Sequence, residues 1–363
     1  MKTNKLPEII FVTDYSLIIG GKERQLIEMV KYLNDYNIAW RIIMLSEIGL
    51  LYQEFKTKYP TQIILIDRKQ NSILYTIRHL RKCIYENINI PLIHAYDTLS
   101  VMFLIIATLG RKRILINGAI RHAGAARGFD YLVEYFILKI SDIVISNSMA
   151  GLKKFHLQRS GYVVYNFIDL NRFIYCNKNL RNIVMTANFS IMKDHNTFIT
   201  VCLKLLCEGR IDKVGMIGEG PEKPKIQYIT SKTKFSDNFI YYGQGEKVED
   251  ILVNYGIGVL CSTKKYKEGV SNSVLEYMGA GLIAIASNIG GTSEIIENGF
   301  NGFLFETENV DSLYQQIIYI QDHIDDCDKI RANALSTLKQ KFDAEKNCKL
   351  LLNIYELGYN NKY

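Results

Sequence analysis

Short apolar runs rich in Ile and Val recur along the chain, separated by longer stretches in which apolar residues return at helical spacing. The first series falls at residues 8–13, 39–46, 63–66, 92–94, 114–116, 143–146 and 162–165, and the second at 183–186, 214–217, 239–241, 257–260, 282–286 and 303–305. Runs of this length and composition read as strands, and the stretches between them as helices. Because the runs are apolar throughout rather than alternating, both faces of each sheet are expected to be covered, which requires parallel strands joined by helical crossovers. The alternation starts twice. We therefore expect an α/β protein of two doubly wound, Rossmann-like domains facing each other across a cleft, residues 1–172 and 173–344, with the boundary near Asp169–Leu180. From Asp311 onward the tail reads as helix, and its last part around 341–357 is expected to cross back, joining residues 345–363 to the first domain.

The 363-residue length agrees with two domains, and 48% apolar with 22% charged residues suits a chain that buries sizeable cores. The seven cysteines (83, 176, 202, 207, 261, 327, 348) are scattered, without a C-x-x-C pair or zinc-ligand spacing, and read as reduced packing residues. Lys2 and Lys5 precede an apolar run too short for a signal peptide, and the longest uncharged apolar stretch, 99–109, falls short of the ~20 residues that span a bilayer. The expected location is cytoplasmic. The net charge of +7 is unevenly spread, because residues 1–180 carry +10 and the remainder −3. A basic half suits an anionic membrane, nucleic acid or a phosphate-bearing ligand, and charge alone does not choose.

Ligands of doubly wound sheets bind beyond the carboxyl ends of the strands, so chemistry is sought in the loops that follow them. The most informative stretch is 267–286, which reads loop, short helix, strand. Gly269, Val270, Ser271, Asn272 and Ser273 can leave backbone N–H groups free at the mouth of that helix, a place that attracts phosphate. Glu268 precedes it, and Glu276 lies one to two turns further on. Carboxylates accept hydrogen bonds from vicinal hydroxyls, so two of them flanking an anion site fit a diphosphate with a sugar at each end, which is a nucleotide-sugar.

The run EGVSNSVLEYMGAG from Glu268 to Gly281 closely resembles the signature of glycosyltransferase family 4, retaining enzymes of GT-B fold: a Glu, seven residues and a second Glu in E-G-x-x-N-x-x-x-E-x-M-x-x-G. The pattern continues through Gly290, Gly291 and Glu294 to Asn298-Gly299 and Asn301-Gly302. Further landmarks follow in family order. Gly20 and Gly21 resemble the turn that approaches the donor phosphates, and Gly218 and Gly220 the glycine turn on the nucleotide side. Gly243 and Gln244 resemble the loop facing the base. The stretch 186–195 resembles the loop that offers Arg and then Lys to the diphosphate; here the Arg position is Asn188, while Lys193 remains as a point charge. The strand 114–116 runs into a polar loop expected to face the acceptor or the transferred sugar, where relatives often have His; His122 is the catalytic candidate there, and Arg121 its neighbour on the acceptor side.

The resemblance implies a retaining transfer of a hexose or N-acetylhexosamine from a nucleotide-sugar, UDP favoured over GDP, to a glycan or lipid-linked acceptor. In that reading Glu268 holds the donor sugar, Glu276 the ribose, and Lys193 with the amides of 270–273 stabilises the departing diphosphate. It also implies that no metal or other cofactor is needed; the acidic cluster 325–328 is read as solvated. Asn188 motivates a second reading, a catalytically weak GT-B-like partner subunit of another transferase. Nucleic-acid binding rests on charge alone and no reading motif supports it. The basic, amphipathic stretches 74–84 and 151–159 suggest peripheral attachment to an anionic membrane face.

Overall fold

The computed structural model describes residues 6–14, 21–46, 55–124, 129–175, 179–243 and 247–361. Gly20, Gln244 and Cys176, singled out above, lie outside them. The chain divides into two compact units, one of Met1–Arg121, Ala126–Val164 and Glu345–Tyr363, the other of His122–Ala125 and Tyr165–Ala344.

In the first unit, β1 (Ile9–Thr13), β2 (Trp40–Met44), β3 (Ile63–Leu65), β4 (Leu92–Ala95), β5 (Ile114–Ile120), β6 (Ile143–Ser146) and β7 (Tyr162–Val163) form a parallel sheet in the order β3-β2-β1-β4-β5-β6-β7. In the second, β8 (Asn182–Thr186), β9 (Lys213–Ile217), β10 (Phe239–Tyr242), β11 (Ile257–Leu260), β12 (Ile283–Ser287) and β13 (Phe303–Phe305) are parallel in the order β10-β9-β8-β11-β12-β13. Each strand order reverses once, between β1 and β4 and between β8 and β11; in doubly wound sheets ligands bind beyond the strand ends at such a reversal. The apolar runs supply the cores: Ile10, Val12, Ile43, Ile93 and Leu115 in one unit and Ile183, Val184, Val259 and Ile285 in the other are fully buried.

Three differences from the sequence reading have local causes. The second unit begins at Tyr165 rather than at 173. The Asn166 amide donates to the Val270 carbonyl at 2.7 Å, and Ile168 N–H to Phe342 O at 3.0 Å, which ties the connecting segment to the second core. Strand β5 does not stop at Ile116 but runs on to Ile120, because a register shift between Asn117 and Ile120 lets it pair again with Ser146. The stretch 151–159 is not one amphipathic helix. The helix Met149–Lys154 ends before the left-handed His156 (φ 56°), and Lys154 is withdrawn from the surface into an ion pair with Glu134 at 3.0 Å.

The last helix, Ala344–Asn360, packs on the first unit. Its Tyr355 hydroxyl lies 2.6 Å from Nδ1 of His94, which is 2% exposed. Burial pushes His94 from 6.5 down to about 3, so the ring is neutral and Nδ1 accepts from Tyr355. Among the described residues no helix is long and apolar enough to cross a membrane.

Candidate active site

The loop after β8 carries Lys193 and the loop after β11 carries Glu268, so both stand at the point where the second sheet's strand order reverses. The two loops are laced together by backbone hydrogen bonds. Asp194 N–H donates to Cys261 O at 3.1 Å, Thr263 N–H to Met192 O at 3.1 Å, and Lys193 forms an antiparallel bridge with Ser262. Asp194 then caps the helix His195–Cys207 by accepting from Thr197 N–H at 3.1 Å, which fixes Lys193 immediately before a rigid element. Behind this loop, Gly218 and Gly220 adopt φ of 144° and 152°, and a Cβ on either would come within 2.2 Å of Ala187 O or 2.3 Å of Phe189 O. What these glycines do in the structure is let the loops after β8 and β9 lie side by side; Phe189 N–H donates across them to Glu219 O at 2.9 Å.

The Lys193 ammonium pairs with Oε1 of Glu268, and the same oxygen accepts from the Ser262 hydroxyl at 3.1 Å. Burial pushes Lys193 from 10.5 down to about 8. The adjoining carboxylate opposes that fall and favours the charged ammonium. Glu268 itself is 8% exposed and is held through its backbone as well. Its carbonyl accepts from Gly291 N–H at 2.7 Å, and its main chain bridges to His122, whose neighbour Ala123 donates to Lys267 O at 2.8 Å. The His122 ring lies 5.5 Å from that of Tyr266, over which the Lys193 ammonium sits at 5.6 Å. The structure thus brings Glu268, Lys193 and His122 together, with Ser262 and Tyr266 between them.

The helix Asn272–Gly279 begins at the same edge. It is docked by two hydroxyls. Ser273 Oγ donates to Thr186 O at 2.7 Å, and the Tyr277 hydroxyl accepts from Thr186 N–H at 2.6 Å while donating to Val259 O at 3.2 Å. The Tyr277 ring fits because β11 has a glycine beneath it; a Cβ on Gly258 would stand 2.3 Å from the ring. Ser273 therefore spends its side chain on docking and offers only its backbone N–H to a ligand. Val270 turns its side chain into the core and its carbonyl to Asn166. Glu276, 4% exposed, lies on this helix beyond the N-terminal Ser271 and Asn272.

The other expected residues stand as follows. Asn188 is exposed, and its carbonyl accepts from Ser190 N–H at 2.9 Å. Gly243 directly follows β10, and among the described residues an added Cβ would meet the Glu219 carboxylate at 3.9 Å. Gly21 opens the helix Gly21–Asp35. Arg121 belongs to the first unit. Its guanidinium lies 4.9 Å from the centre of the Tyr96 ring and donates to Gly118 O at 3.0 Å. Sequence reasoning missed Ser262, Tyr266 and Tyr277. The run Cys261–Ser262 directly after an all-apolar strand was the available signal for the first; the aromatic positions had none beyond their proximity to Glu268 and Glu276.

Among the described residues no group of three His, Cys, Asp or Glu side chains is arranged to hold a metal ion.

Comparison with known proteins gives the same region a context. The family profile of glycosyl transferases group 1 matches residues 170–337. Among curated proteins, the chain is 23% identical over 227 residues to the N-acetyl-alpha-D-glucosaminyl L-malate synthase of Bacillus anthracis, covering 58% of each. It is 36% identical over 108 residues to the UDP-Gal:alpha-D-GlcNAc-diphosphoundecaprenol alpha-1,3-galactosyltransferase of Escherichia coli, covering 30% of this chain and 27% of that one. The matches thus span less than two thirds of these relatives' own length. Solved structures align over nearly the whole chain. Anabaena HepE, determined with UDP and glucose, superposes with a TM-score of 0.83 at 17% identity, over 96% of this chain and 99% of that one. A glycosyltransferase of Rickettsia africae gives 0.80 at 22% identity, over 99% and 100%. The stretch that matches the glycosyl transferases group 1 lies within the second of two parallel-sheet units, and the fold of the chain is of the GT-B type.

Proposed function

We propose that the protein is a retaining glycosyltransferase that moves a hexose or N-acetylhexosamine from a UDP-sugar to a glycan or lipid-linked acceptor. The observation that carries this reading is the meeting of Lys193 and Glu268 at the strand-order reversal of the second sheet, beside the start of the Asn272–Gly279 helix. The sugar nucleotides named for neighbours, UDP with glucose in HepE and UDP-Gal in the Escherichia coli relative, favour UDP over GDP. The lipid diphosphate in the latter's name favours a lipid-linked acceptor.

In this mechanism the bond from the anomeric carbon to the diphosphate breaks first, and negative charge grows on the leaving phosphate. Lys193 and the amides of 270–273 stabilise that charge, each well-placed donor lowering the barrier by about 3–4 kcal/mol. Glu268 accepts from donor-sugar hydroxyls and Glu276 from the ribose. The acceptor hydroxyl attacks the face the diphosphate leaves and passes its proton to the departing oxygen, so configuration is retained. His122, backbone-paired to Glu268, stands on the side of the transferred sugar. Charge is neutralised by Lys193 and main-chain dipoles in this scheme, without a metal. Titration of the purified protein with UDP, UDP-glucose, UDP-galactose, UDP-N-acetylglucosamine and GDP-mannose tests it; no tighter binding of any UDP-sugar than of GDP-mannose would end the UDP assignment, and no binding at all would end the proposal.

The place of action proposed is the inner membrane face. Supporting this, the helices Ile73–Tyr85, Thr98–Ala107 and Phe129–Ile140 pack side by side and leave Leu74, Ile106, Leu132 and Phe136 exposed, with Arg78, Lys82 and Lys139 exposed on the same helices. Apolar side chains bordered by bases suit an anionic lipid surface. Co-sedimentation with phosphatidylglycerol vesicles at low salt, lost in a Leu132→Ser/Phe136→Ser variant, is the expected result; equal pelleting with and without vesicles would refute it.

A further inference from the structure

A series of buried hydrogen bonds, alternating between hydroxyls and backbone groups, runs from the interior of the second unit to Glu268. Thr292 Oγ1 donates to Ser287 O at 2.7 Å, Ser287 Oγ accepts from Ser262 N–H at 3.0 Å, and Ser262 Oγ donates to Glu268 Oε1 at 3.1 Å. Thr292, Ser287 and Ser262 are each at most 1% exposed. They sit on three different elements: the helix Thr292–Ile295, the end of β12 and the loop after β11. Ser287 Oγ holds the backbone N–H of Ser262, and the Ser262 hydroxyl has Glu268 Oε1 as its partner. The backbone from which Ser262 reaches Glu268 is thus tied to the end of β12.

The two ends of the carboxylate differ as a result. Oε1 takes both the Ser262 hydroxyl and the Lys193 ammonium. Oε2 has no hydrogen-bond partner among the described residues, and it is not among the buried polar atoms left without one. We infer that Ser262, backed by Ser287, is a positioning residue that commits Oε1 of Glu268 to the protein and presents Oε2 as the single oxygen that grips the donor sugar. This rests on the proposed role of Glu268. It narrows that role: the carboxylate takes one sugar hydroxyl at Oε2 instead of straddling two. The group favoured at Oε2 is a hydrogen-bond donor on the sugar, because a bare acceptor oxygen rewards a donor and gains nothing from an apolar group.

The test compares UDP with its sugar conjugates, because UDP lacks the part that Glu268 would hold. Calorimetric titration of the wild type with UDP, UDP-glucose, UDP-galactose and UDP-N-acetylglucosamine identifies the tightest conjugate. Ser262→Ala is expected to bind UDP within twofold of the wild type and that conjugate about tenfold more weakly, the effect of misplacing one charge-assisted hydrogen bond. Ser262→Thr, which keeps the hydroxyl, is expected to restore the affinity. Ser287→Ala removes the backing contact and is expected to give a smaller loss with the same selectivity, serving also if Ser262→Ala does not fold. Equal weakening of UDP and conjugate, or an unchanged conjugate affinity, overturns the positioning role while leaving the proposed activity intact. A wild type that binds the conjugates no better than UDP overturns both this inference and the sugar-holding role of Glu268.

Discussion

Replacing Gly290 by Ala should damage Glu268 without touching its side chain. Gly290 has φ of 64°, and a Cβ built on it would stand 2.1 Å from the Glu268 carbonyl oxygen and 2.9 Å from its nitrogen. That carbonyl is already engaged, accepting from Gly291 N–H at 2.7 Å, so neither the backbone of 268 nor the turn at 290–291 is free to yield. Two costs add. The left-handed conformation costs a residue with a Cβ roughly 1–2 kcal/mol, and forcing an extra methyl into packed backbone costs roughly 1–3 kcal/mol more. A destabilisation of about 2–5 kcal/mol is therefore expected, read as a lower urea midpoint with unchanged slope. In the fraction that folds, the displaced Glu268 backbone should weaken binding of a UDP-sugar more than of UDP. A Gly290→Ala protein with a wild-type midpoint and wild-type UDP-sugar affinity would show that the turn does not brace Glu268.

Three further outcomes follow from the groups described above. If Lys193 must be charged to assist the leaving diphosphate, then with burial holding it near 8 turnover should fall as pH rises through about 8; Lys193→Arg, charged at every accessible pH, should lack that basic limb even if slower, and an unshifted limb would refute the assignment. His94 is near 3 when folded and 6.5 otherwise, so between these values the unfolded chain alone binds the proton and stability is lost as pH falls. Taking pH 7 to pH 5 should cost about 2 kcal/mol, a drop that His94→Gln should not show in paired urea titrations. Tyr277→Phe strips the acceptor from the Thr186 N–H at 2.6 Å and should cost about 1–3 kcal/mol; a melting temperature equal to the wild type's would mean that another acceptor takes its place.

The architecture was legible because burial on both faces leaves an unbroken apolar run, and each of the thirteen runs became a strand of one of the two sheets. The ends of those runs were less so. Strand β5 outlasts its Ile-rich start because a register shift, not hydrophobicity, lets Ile120 pair with Ser146. The place where the second unit begins is set by Asn166 and Ile168, whose partners Val270 and Phe342 are far off in sequence. At the candidate site, ordered spacing pointed to Glu268 and Lys193, yet spacing says nothing about which atoms meet. That one oxygen of Glu268 takes both Ser262 and Lys193, or that Ser273 turns its hydroxyl to Thr186, depends on how loops from different strands fold against each other. The glycines at 218 and 220 look alike in a motif whether they admit a phosphate or a neighbouring carbonyl; the carbonyls of Ala187 and Phe189 were invisible until the loops were placed.

The helix Ala344–Asn360, which seats Tyr355 against His94, sets an order on assembly. On the ribosome the first sheet emerges early but stays without this cover until all of Tyr165–Ala344 has been made, a wait of roughly 10–35 s at ordinary elongation rates. His94 meanwhile lacks the hydroxyl it will accept from, and the apolar face meant for Leu351 and Ile354 stands open to chaperones. The half that is translated first is thus the half that matures last.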